Sequence, residues 1–264
     1  MLEINNIYKT FNPGTVNEKV ALNGVSLKLN DGDFVTVIGG NGAGKSTLLN
    51  AVAGTWKVDE GSILIDGIDV TKMQDYKRAK FLGRVFQDPM MGTVPTMGID
   101  ENLALAARRG KFRGLAREIT AKERAGFKEI VKILDLGLED RLTSKVGLLS
   151  GGQRQAVTLL MASLKKPKLL LLDEHTAALD PKTAAKVLDA TETIVNRDHL
   201  TTLMITHNMK DAIAHGNRLI MMKDGKIILD ISGEGKKNLT VEELLEKFNS
   251  VGGEDAVNDR MILG

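Results

Sequence analysis

The chain has 264 residues, of which 42% are hydrophobic, 27% charged and 4% aromatic. This ordinary globular composition favours one large domain, or a domain with an inserted subdomain. The 36 basic and 34 acidic residues give a net charge of +2, so we expect no nucleic-acid partner, and the lack of cysteine excludes disulfides and fits a reducing cytosolic setting.

The N-terminal segment "MLEINNIYKTF" has no apolar signal region. No stretch of the sequence approaches the roughly 18 continuous apolar residues that a transmembrane helix needs. We therefore expect any membrane role to come through a partner.

The first part of the chain is rich in strand patterns. "MLEINNIYK" and "VALNGVSLKL" alternate with period two, which predicts half-buried, antiparallel strands. Asp33 to Gly40, "DFVTVIGG", is a continuous apolar run that predicts a buried central strand. A helix is predicted over Lys45 to Ala53, and "GSILIDG" predicts a short strand closed by an Asp-Gly turn.

From about Asp88 to Leu164 the apolar residues have helical spacing, as in "IDENLALAARRG" and "TAKERAGFKEIVKILDLGL". Strand patterns then return in "KLLLLD", "LTTLMITH" and "NRLIMMKDGKIILDI", and Asp224-Gly225 in the last predicts a hairpin. The polar tail from about Gly233 contains one predicted helix, "TVEELLEKFNS". Together these patterns predict an α/β core interrupted by a helical insertion.

A phosphate-binding loop follows the predicted central strand. The segment "GGNGAGKST" satisfies G-x-x-x-x-G-K-[ST] and opens a predicted helix. Glycines let backbone N–H groups converge on phosphate oxygens, and the helix N-terminus adds partial positive charge. The residues expected to bind nucleotide are Gly39, Asn41, Gly42, Ala43, Gly44, Lys45, Ser46 and Thr47. Lys45 would contact the β- and γ-phosphates, Ser46 would ligate Mg²⁺, and Thr47 would reach the α-phosphate.

Two carboxylates end the strand "KLLLLDE", Lys168 to Glu174. A buried strand that brings Asp173 beside Ser46 would hold Mg²⁺, directly or through water. Glu174, one residue further on, is the candidate general base that polarises the attacking water.

Five motifs in order carry a family resemblance: "GGNGAGKST", "VFQDP", "LSGGQRQ", "LLLLDEHTAALD" and "MITHN". Over roughly residues 1 to 230, the chain resembles the ATP-binding subunit of an ABC transporter of the prokaryotic importer type. The resemblance implies an α/β P-loop NTPase core with an antiparallel β subdomain and an inserted α-helical subdomain. The core would comprise residues 1–87 and 165–230, the helical subdomain about 88–164, and a tail with one helix 231–264.

The resemblance explains a second glycine-rich segment at a predicted helix start. In the family two subunits dimerise head to tail, and each ATP lies between the P-loop of one and the signature of the other. Ser150, Gly151, Gly152 and Gln153 match this signature. Their helix N-terminus would face the γ-phosphate bound by the partner, which implies an ATP-sandwiched homodimer.

Other site residues are implied one at a time by the resemblance. Gln87 matches the glutamine that senses Mg²⁺ and the attacking water, His207 the histidine that contacts the γ-phosphate, and Asp180 the aspartate that communicates across the dimer. Phe11 resembles the aromatic residue that stacks on adenine, with Tyr8 as the alternative.

One position departs from the family pattern, which usually has proline after the catalytic glutamate. His175 stands there, and it is either a tolerated loop substitution or a group that alters local rigidity or the response to pH. The basic segment Arg108 to Gly114 is interpreted as a solvated surface, with anionic lipid headgroups as an alternative neighbour.

The resemblance implies ATP and Mg²⁺ as ligands and a separate integral-membrane permease as partner, with a solute-binding protein in the full system. The subunit would lie on the cytoplasmic face of the membrane. Met90, Met91 and Met97 are adaptable apolar side chains suited to docking a permease helix, or simply core residues. The motifs are similar to those of ATPases for branched-chain-amino-acid-like permeases, a subgroup of which resembles aromatic amino-acid uptake systems. The alternatives are a non-transport ABC ATPase of cluster assembly, DNA repair or translation, and the ATPase of a lipid or export system.

Overall fold

The computed structural model describes residues 1–110 and 119–252. Part of the basic segment discussed above and the last residues of the tail lie outside these ranges. The strands are β1 (Leu2–Phe11), β2 (Lys19–Leu29), β3 (Phe34–Ile38), β4 (Glu60–Ile65), β5 (Ile68–Asp69), β6 (Leu82–Val85), β7 (Leu169–Asp173), β8 (Thr202–Ile205), β9 (Arg218–Lys223) and β10 (Lys226–Ser232).

The α-helices are α1 (Lys45–Ala53), α2 (Asp75–Arg78), α3 (Ile99–Ala107), α4 (Ala121–Val131), α5 (Gly151–Ser163), α6 (Pro181–Asp198), α7 (Met209–Ala214), α8 (Glu234–Lys237) and α9 (Val241–Gly252). Short 3₁₀ turns cover Pro89–Gly92, Lys132–Leu134 and Val146–Leu148. The longest of these helices, α6, was not predicted from the sequence.

The strands form two sheets. The smaller sheet has the order β2-β1-β4-β5 and is antiparallel, which confirms the pairing predicted for the first two strands. The larger sheet has the order β10-β9-β3-β8-β7-β6. Its strands are parallel except for the edge strand β10, which forms the predicted hairpin with β9.

The predicted hairpin turn and central strand are both confirmed. Asp224 and Gly225 both have positive φ, 48° and 74°, as a two-residue turn that matches strand twist requires. All five residues of β3 are buried, and the strand lies between β9 and β8.

The larger sheet is covered on both faces, which explains the continuous leucine run of β7. Leu170 and Leu172 face a core formed with α3 to α6, whereas Leu169 and Leu171 face a second core around α1 and the smaller sheet. The ends of the strands that carry functional residues are therefore held from both sides.

The C-terminal helices pack on the core through a third apolar cluster, in which Phe248 of α9 meets Met209 and Ala212 of α7. Lys236 of α8 is buried, and its ammonium donates to the backbone carbonyl of Gly216 over 3.0 Å. Burial lowers the pKa of Lys236 to about 8. Across the ranges that the structure describes, no helix is both long and apolar enough to cross a bilayer.

Candidate functional site

The phosphate-binding loop connects the buried strand β3 to the start of α1. Gly39 and Gly44 have positive φ, 149° and 102°, and a β-carbon would lie 2.2 Å from the Met222 carbonyl oxygen at Gly39 and 2.5 Å from the Ala21 carbonyl oxygen at Gly44. Only glycine fits these two positions, because the backbone conformation and the close neighbours both exclude a side chain.

Lys45 is buried, and its ammonium donates to the carbonyl oxygens of Gly39 (2.7 Å) and Gly40 (3.1 Å). These bonds hold the lysine over the loop. The loop forms one wall of a pocket of about 230 Å³, whose lining residues are Phe11, Lys19, Ala21, Asn41, Gly42, Ala43, Gly44, Lys45, Ser46, Thr47 and Glu174. The pocket thus brings together the loop, one of the two aromatic candidates and one of the two carboxylates.

The aromatic wall of this pocket is Phe11 at the end of β1. Trp56 packs edge-on against it, with 5.3 Å between ring centroids and 82° between planes. Tyr8, the alternative aromatic residue, lies elsewhere: a β-carbon on Gly24 of β2 would be 2.9 Å from its hydroxyl oxygen. Of the two candidates, Phe11 is the one that lines the pocket.

The carboxylates Asp173 and Glu174 mark the C-terminal end of β7. Asp173 lies 3.5 Å from a guanidinium nitrogen of Arg84. Burial raises the pKa of the Asp173 carboxyl, and Arg84 opposes that shift.

Glu174 has a positive φ of 45°, an uncommon conformation for a residue with a side chain. Its amide donates to the carbonyl of Ile205 on β8 over 3.1 Å, which fixes the turn. The Glu174 carboxylate lies 3.7 Å from Nδ1 of His207, which comes two residues after the end of β8. Backbone strain of this kind concentrates at functional sites.

Gln87 follows β6 and lies on a different surface from the P-loop pocket. It lines a groove of about 920 Å³ between the core and the helical region, together with Asp173, Arg84, Phe86 and residues of α2, α3 and α5. Gln155 of α5 is fully buried, and its amide donates to the carbonyl of Phe86 over 2.9 Å. A hydrogen bond therefore joins the signature helix to the residue next to Gln87.

The signature segment begins α5. Ser150 caps the helix: its hydroxyl accepts from the Gln153 amide (3.3 Å), and the Gln153 side chain accepts from the Ser150 amide (3.2 Å). A β-carbon on Gly152 would lie 1.9 Å from Cγ2 of Thr183, so glycine is needed for α5 to approach α6. Ser150 and Gly151 are exposed, and the segment does not line the P-loop pocket of its own chain.

Asp180 caps α6 beside this segment. Its carboxylate accepts from the Thr183 amide over 3.1 Å, and hydrogen bonds from the hydroxyl and amide of Thr183 hold the pKa of Asp180 below its ordinary value. Asp180 and the signature helix are thus neighbours through Thr183.

His175 is buried, unlike an ordinary loop residue. Its Nε2 lies 3.1 Å from the Thr191 hydroxyl of α6, and burial lowers its pKa to about 4. The ring is neutral at physiological pH and packs the turn after Glu174 against α6.

The three methionines that follow Gln87 do not share one surface. Met90 and Met91 are exposed, and Met91 lines the groove described above. Met97 is half-buried and lines another pocket, beside Asp100 and Arg124. Of the two interpretations, core packing is wrong for the exposed Met90 and Met91, and docking at the groove remains a prediction for Met91.

Three residues that sequence reasoning missed connect these parts: Arg84, Asn50 and Gln155. Each meets its partner across a long stretch of sequence, for example Gln155 with Phe86 and Arg84 with Asn50. Arg84 and Asn50 lie outside the quoted motifs, and Gln155 ends the "LSGGQRQ" segment, but the sequence alone assigned it no contact.

The chain is similar to a known protein family and to several known proteins. The family model described as ABC transporter matches residues 22–177. The tyrosine transport ATP-binding protein of Clostridioides difficile is 46% identical over 253 residues, which cover 94% of this chain and 98% of that protein. The spermidine/putrescine import ATP-binding protein PotA of Haemophilus ducreyi is 32% identical over 94% of this chain and 64% of its own length.

Among solved structures, a dimeric ATP-binding cassette in a post-hydrolysis state bound to ADP and Pi is similar, with a TM-score of 0.74 and 31% identity. The match covers 88% of this chain and 98% of that one. The chain belongs to the ABC transporter ATP-binding family and is an ABC-type ATPase, as the motifs predicted. Its fold is the cassette fold, with an antiparallel β subdomain and a helical subdomain.

Proposed function

We propose that the chain is the ATP-hydrolysing subunit of an importer that takes up an amino acid, with tyrosine the first substrate to test. The relative at 46% identity is a tyrosine transport ATP-binding protein, and the match extends over nearly the whole of both chains. A second relative is named as an import protein. The observation that carries the enzymatic part is the single pocket that joins Phe11, Lys45 and Glu174.

Nucleotide binding follows from the chemistry of that pocket. Backbone amides of the P-loop and the Lys45 ammonium would hold the phosphates, Thr47 would add a contact to the α-phosphate, and Phe11 would stack on the adenine. The glycines at 39 and 44 permit the close approach of backbone to phosphate.

The residues proposed for Mg²⁺ have suitable oxygen donors, although Ser46 lines the phosphate pocket and Asp173 and Gln87 line the groove. Ser46, Asp173 and Gln87 offer hydroxyl, carboxylate and amide oxygens, which this hard ion prefers. Within the described ranges no group of three or more His, Asp or Glu side chains could hold a metal by itself, which suits an ion held largely by nucleotide phosphates and water. When bound, the ion would neutralise charge on the β- and γ-phosphates.

Hydrolysis would use Glu174 and His207. Glu174 lines the phosphate pocket and can accept the proton of an attacking water. His207, whose Nδ1 lies 3.7 Å from the Glu174 carboxylate, would contact the γ-phosphate. Gln87 lies at the groove and would report the state of the site to the helical region.

The signature segment supports a head-to-tail dimer. Ser150 and Gly151 are exposed at the start of α5, and neither they nor Gly152 and Gln153 line their own P-loop pocket. In the proposed dimer they would close the pocket of the partner over ATP, with Asp180 beside them at the contact. A similar cassette is dimeric.

The groove supports docking of a membrane permease on the cytoplasmic face. Tyr76 and Met91 each have 68% of their surface exposed there, and Gln87 and Asp173 form part of its lining. A helical segment of the permease could bind this apolar surface and sense the site. A solute-binding protein outside the cell would complete the importer.

The test is purification of tagged Glu174→Gln protein from detergent-solubilised membranes with Mg·ATP, followed by mass spectrometry. We expect a multi-span permease to co-purify. Met91→Glu, added to this variant, should abolish the association, whereas Ile68→Glu, an exposed apolar residue on β5 outside the groove, should not. Recovery of only soluble assembly or nucleic-acid factors would overturn the transport role and leave the ATPase assignment standing.

The substrate needs a separate measurement, because this subunit does not contact it. Uptake of labelled tyrosine is compared in cells with the native chain, without it, and with Lys45→Ala. We expect uptake only with the native chain. Unchanged tyrosine uptake in cells without the chain would overturn the substrate assignment.

A further inference from the structure

Arg84 is a nearly buried arginine of β6 whose guanidinium reaches the end of β7. Nη2 donates to Oδ1 of Asn50 over 2.8 Å and lies 3.5 Å from Oδ2 of Asp173. Nη1 donates to the Thr55 hydroxyl over 3.2 Å. The guanidinium carbon also lies 4.5 Å from the ring centroid of Phe86, a cation–π contact.

Asn50 connects this arginine to the phosphate-binding loop. Asn50 lies one helical turn after Ser46 in α1, and its side-chain amide donates to the Ser46 carbonyl over 2.8 Å. One chain of hydrogen bonds and an ion pair therefore runs from Ser46 through Asn50 and Arg84 to Asp173. Its two ends are the residues proposed above as magnesium ligands.

The contacts of Arg84 are not those that would best stabilise the fold. The Nε atom of Arg84 is buried and finds no hydrogen-bond partner in the described part of the chain, which costs free energy. The largely buried ion pair between Arg84 and Asp173, at 3.5 Å, also adds little net stability, because removing two charges from water is costly. Apolar side chains in place of both Arg84 and Asp173 would avoid both costs, so the presence of the pair indicates a functional reason.

We propose that Arg84 is a positioning residue that holds Asp173 for magnesium binding. It engages one carboxylate oxygen, Oδ2, which would leave the other oxygen, Oδ1, for the ion or for its water. Through Asn50 it also fixes Asp173 relative to Ser46. This inference rests on the proposed ATPase site, and it extends that site to residues that line the groove on its other side.

The test measures how much Mg²⁺ strengthens ATP binding, by isothermal titration calorimetry of the full chain with excess Mg²⁺ and with EDTA. The ratio of the two dissociation constants reports metal binding in the complex. In Arg84→Met we expect this ratio to fall about tenfold, a typical loss when a residue supporting a metal ligand is removed. Metal-free ATP affinity should stay at the wild-type value.

Three further variants separate positioning from general damage. Arg84→Lys should recover part of the lost ratio, because it keeps the charge without the forked geometry. Asn50→Leu should move the ratio in the same direction, and it tests the inference should Arg84→Met fail to fold. Arg109→Met is the matched control, since Arg109 lines the same groove but has no contact with Asp173 among the described interactions.

The outcomes are distinct. A wild-type metal ratio in both Arg84→Met and Asn50→Leu overturns the role of Arg84 and leaves the ATPase site intact. An equal loss in Arg109→Met also overturns it, because the effect would then not depend on Asp173. Failure of the wild-type chain to bind ATP at all overturns the proposed function itself.

Discussion

The two glycine-rich segments of this protein look alike in sequence but are built differently. The P-loop lies between buried elements, has glycines in left-handed conformations, and shares one pocket with Phe11 and Glu174. The signature segment lies at a helix start, where the backbone and side chains of Ser150 and Gln153 hydrogen-bond to each other, and it does not line that pocket. The first segment lines a pocket of its own chain, whereas the second does not, which is why we propose that it acts on a partner chain.

The largest expected effect is on ATP hydrolysis at the P-loop pocket, without a change in ATP binding. Glu174→Gln should lower kcat about a thousandfold, within the usual contribution of a general base, and leave ATP binding intact. Because hydrolysis no longer releases the dimer, an ATP-bound dimer should accumulate. Steady-state ATPase assays and gel filtration with light scattering measure the two effects. Only monomer at saturating Mg·ATP would count against the sandwich.

A second substitution is expected to weaken ATP binding by the P-loop. Lys45→Ala removes the ammonium that bonds the carbonyls of Gly39 and Gly40 and would meet the phosphates. Loss of charge-assisted hydrogen bonds of about 1.5–3 kcal/mol should weaken ATP binding on the order of 100-fold in calorimetry. Lys72→Ala, an exposed lysine outside this pocket, is the control. Equal affinity of Lys45→Ala and wild type would contradict the assignment of the loop.

A substitution in the signature segment should change dimerisation and leave ATP binding by the monomer unchanged. Ser150→Asp keeps a good helix cap but places a negative charge at the surface proposed to face the partner's γ-phosphate. Added to Glu174→Gln, it should weaken ATP-dependent dimerisation at least about tenfold by charge repulsion, with monomer ATP affinity unchanged. Ser150→Asn is the neutral control with the same capping ability. Loss of monomer ATP affinity would show that the two segments are not independent.

Mixing two defective chains sharpens the same comparison. Lys45→Ala and Ser150→Asp chains, both with Glu174→Gln, should each fail to dimerise alone. Together they should form a dimer with one intact site, because a head-to-tail dimer places both defects in the other site. A mixture that stays monomeric would contradict the head-to-tail arrangement.

The smallest effect concerns the cap next to the signature. Asp180→Ala removes the acceptor of the Thr183 amide and should cost about 1 kcal/mol of unfolding free energy, the usual loss for a helix cap. Asp180→Asn keeps the cap and should retain stability in urea denaturation. If Asp180→Asn still weakens the ATP-bound dimer, the residue acts at the subunit contact; equal stability of all three proteins would refute its capping role.

Sequence reasoning succeeded where the signal is local. The P-loop motif, the buried leucine run of β7 and the Asp224-Gly225 turn each fix a short conformation, and the structure has all three. It could not predict the contacts of Arg84 or of Gln155, because their partners are brought close only by the sheet and the helical region. It also could not predict that His175 is buried, because this burial depends on packing against Thr191 of α6, a helix that was not predicted from the sequence. Nor could it predict that Met91 and Met97 line different pockets.

The edge-on contact between Phe11 and Trp56 has an optical consequence. Trp56 is the only tryptophan among the 264 residues, and 43% of its surface is exposed. All indole fluorescence of the protein therefore comes from one ring that touches the side chain proposed to stack on adenine. The unlabelled chain therefore carries an emission probe packed against Phe11 of the proposed nucleotide pocket, and we expect nucleotide binding to change that emission.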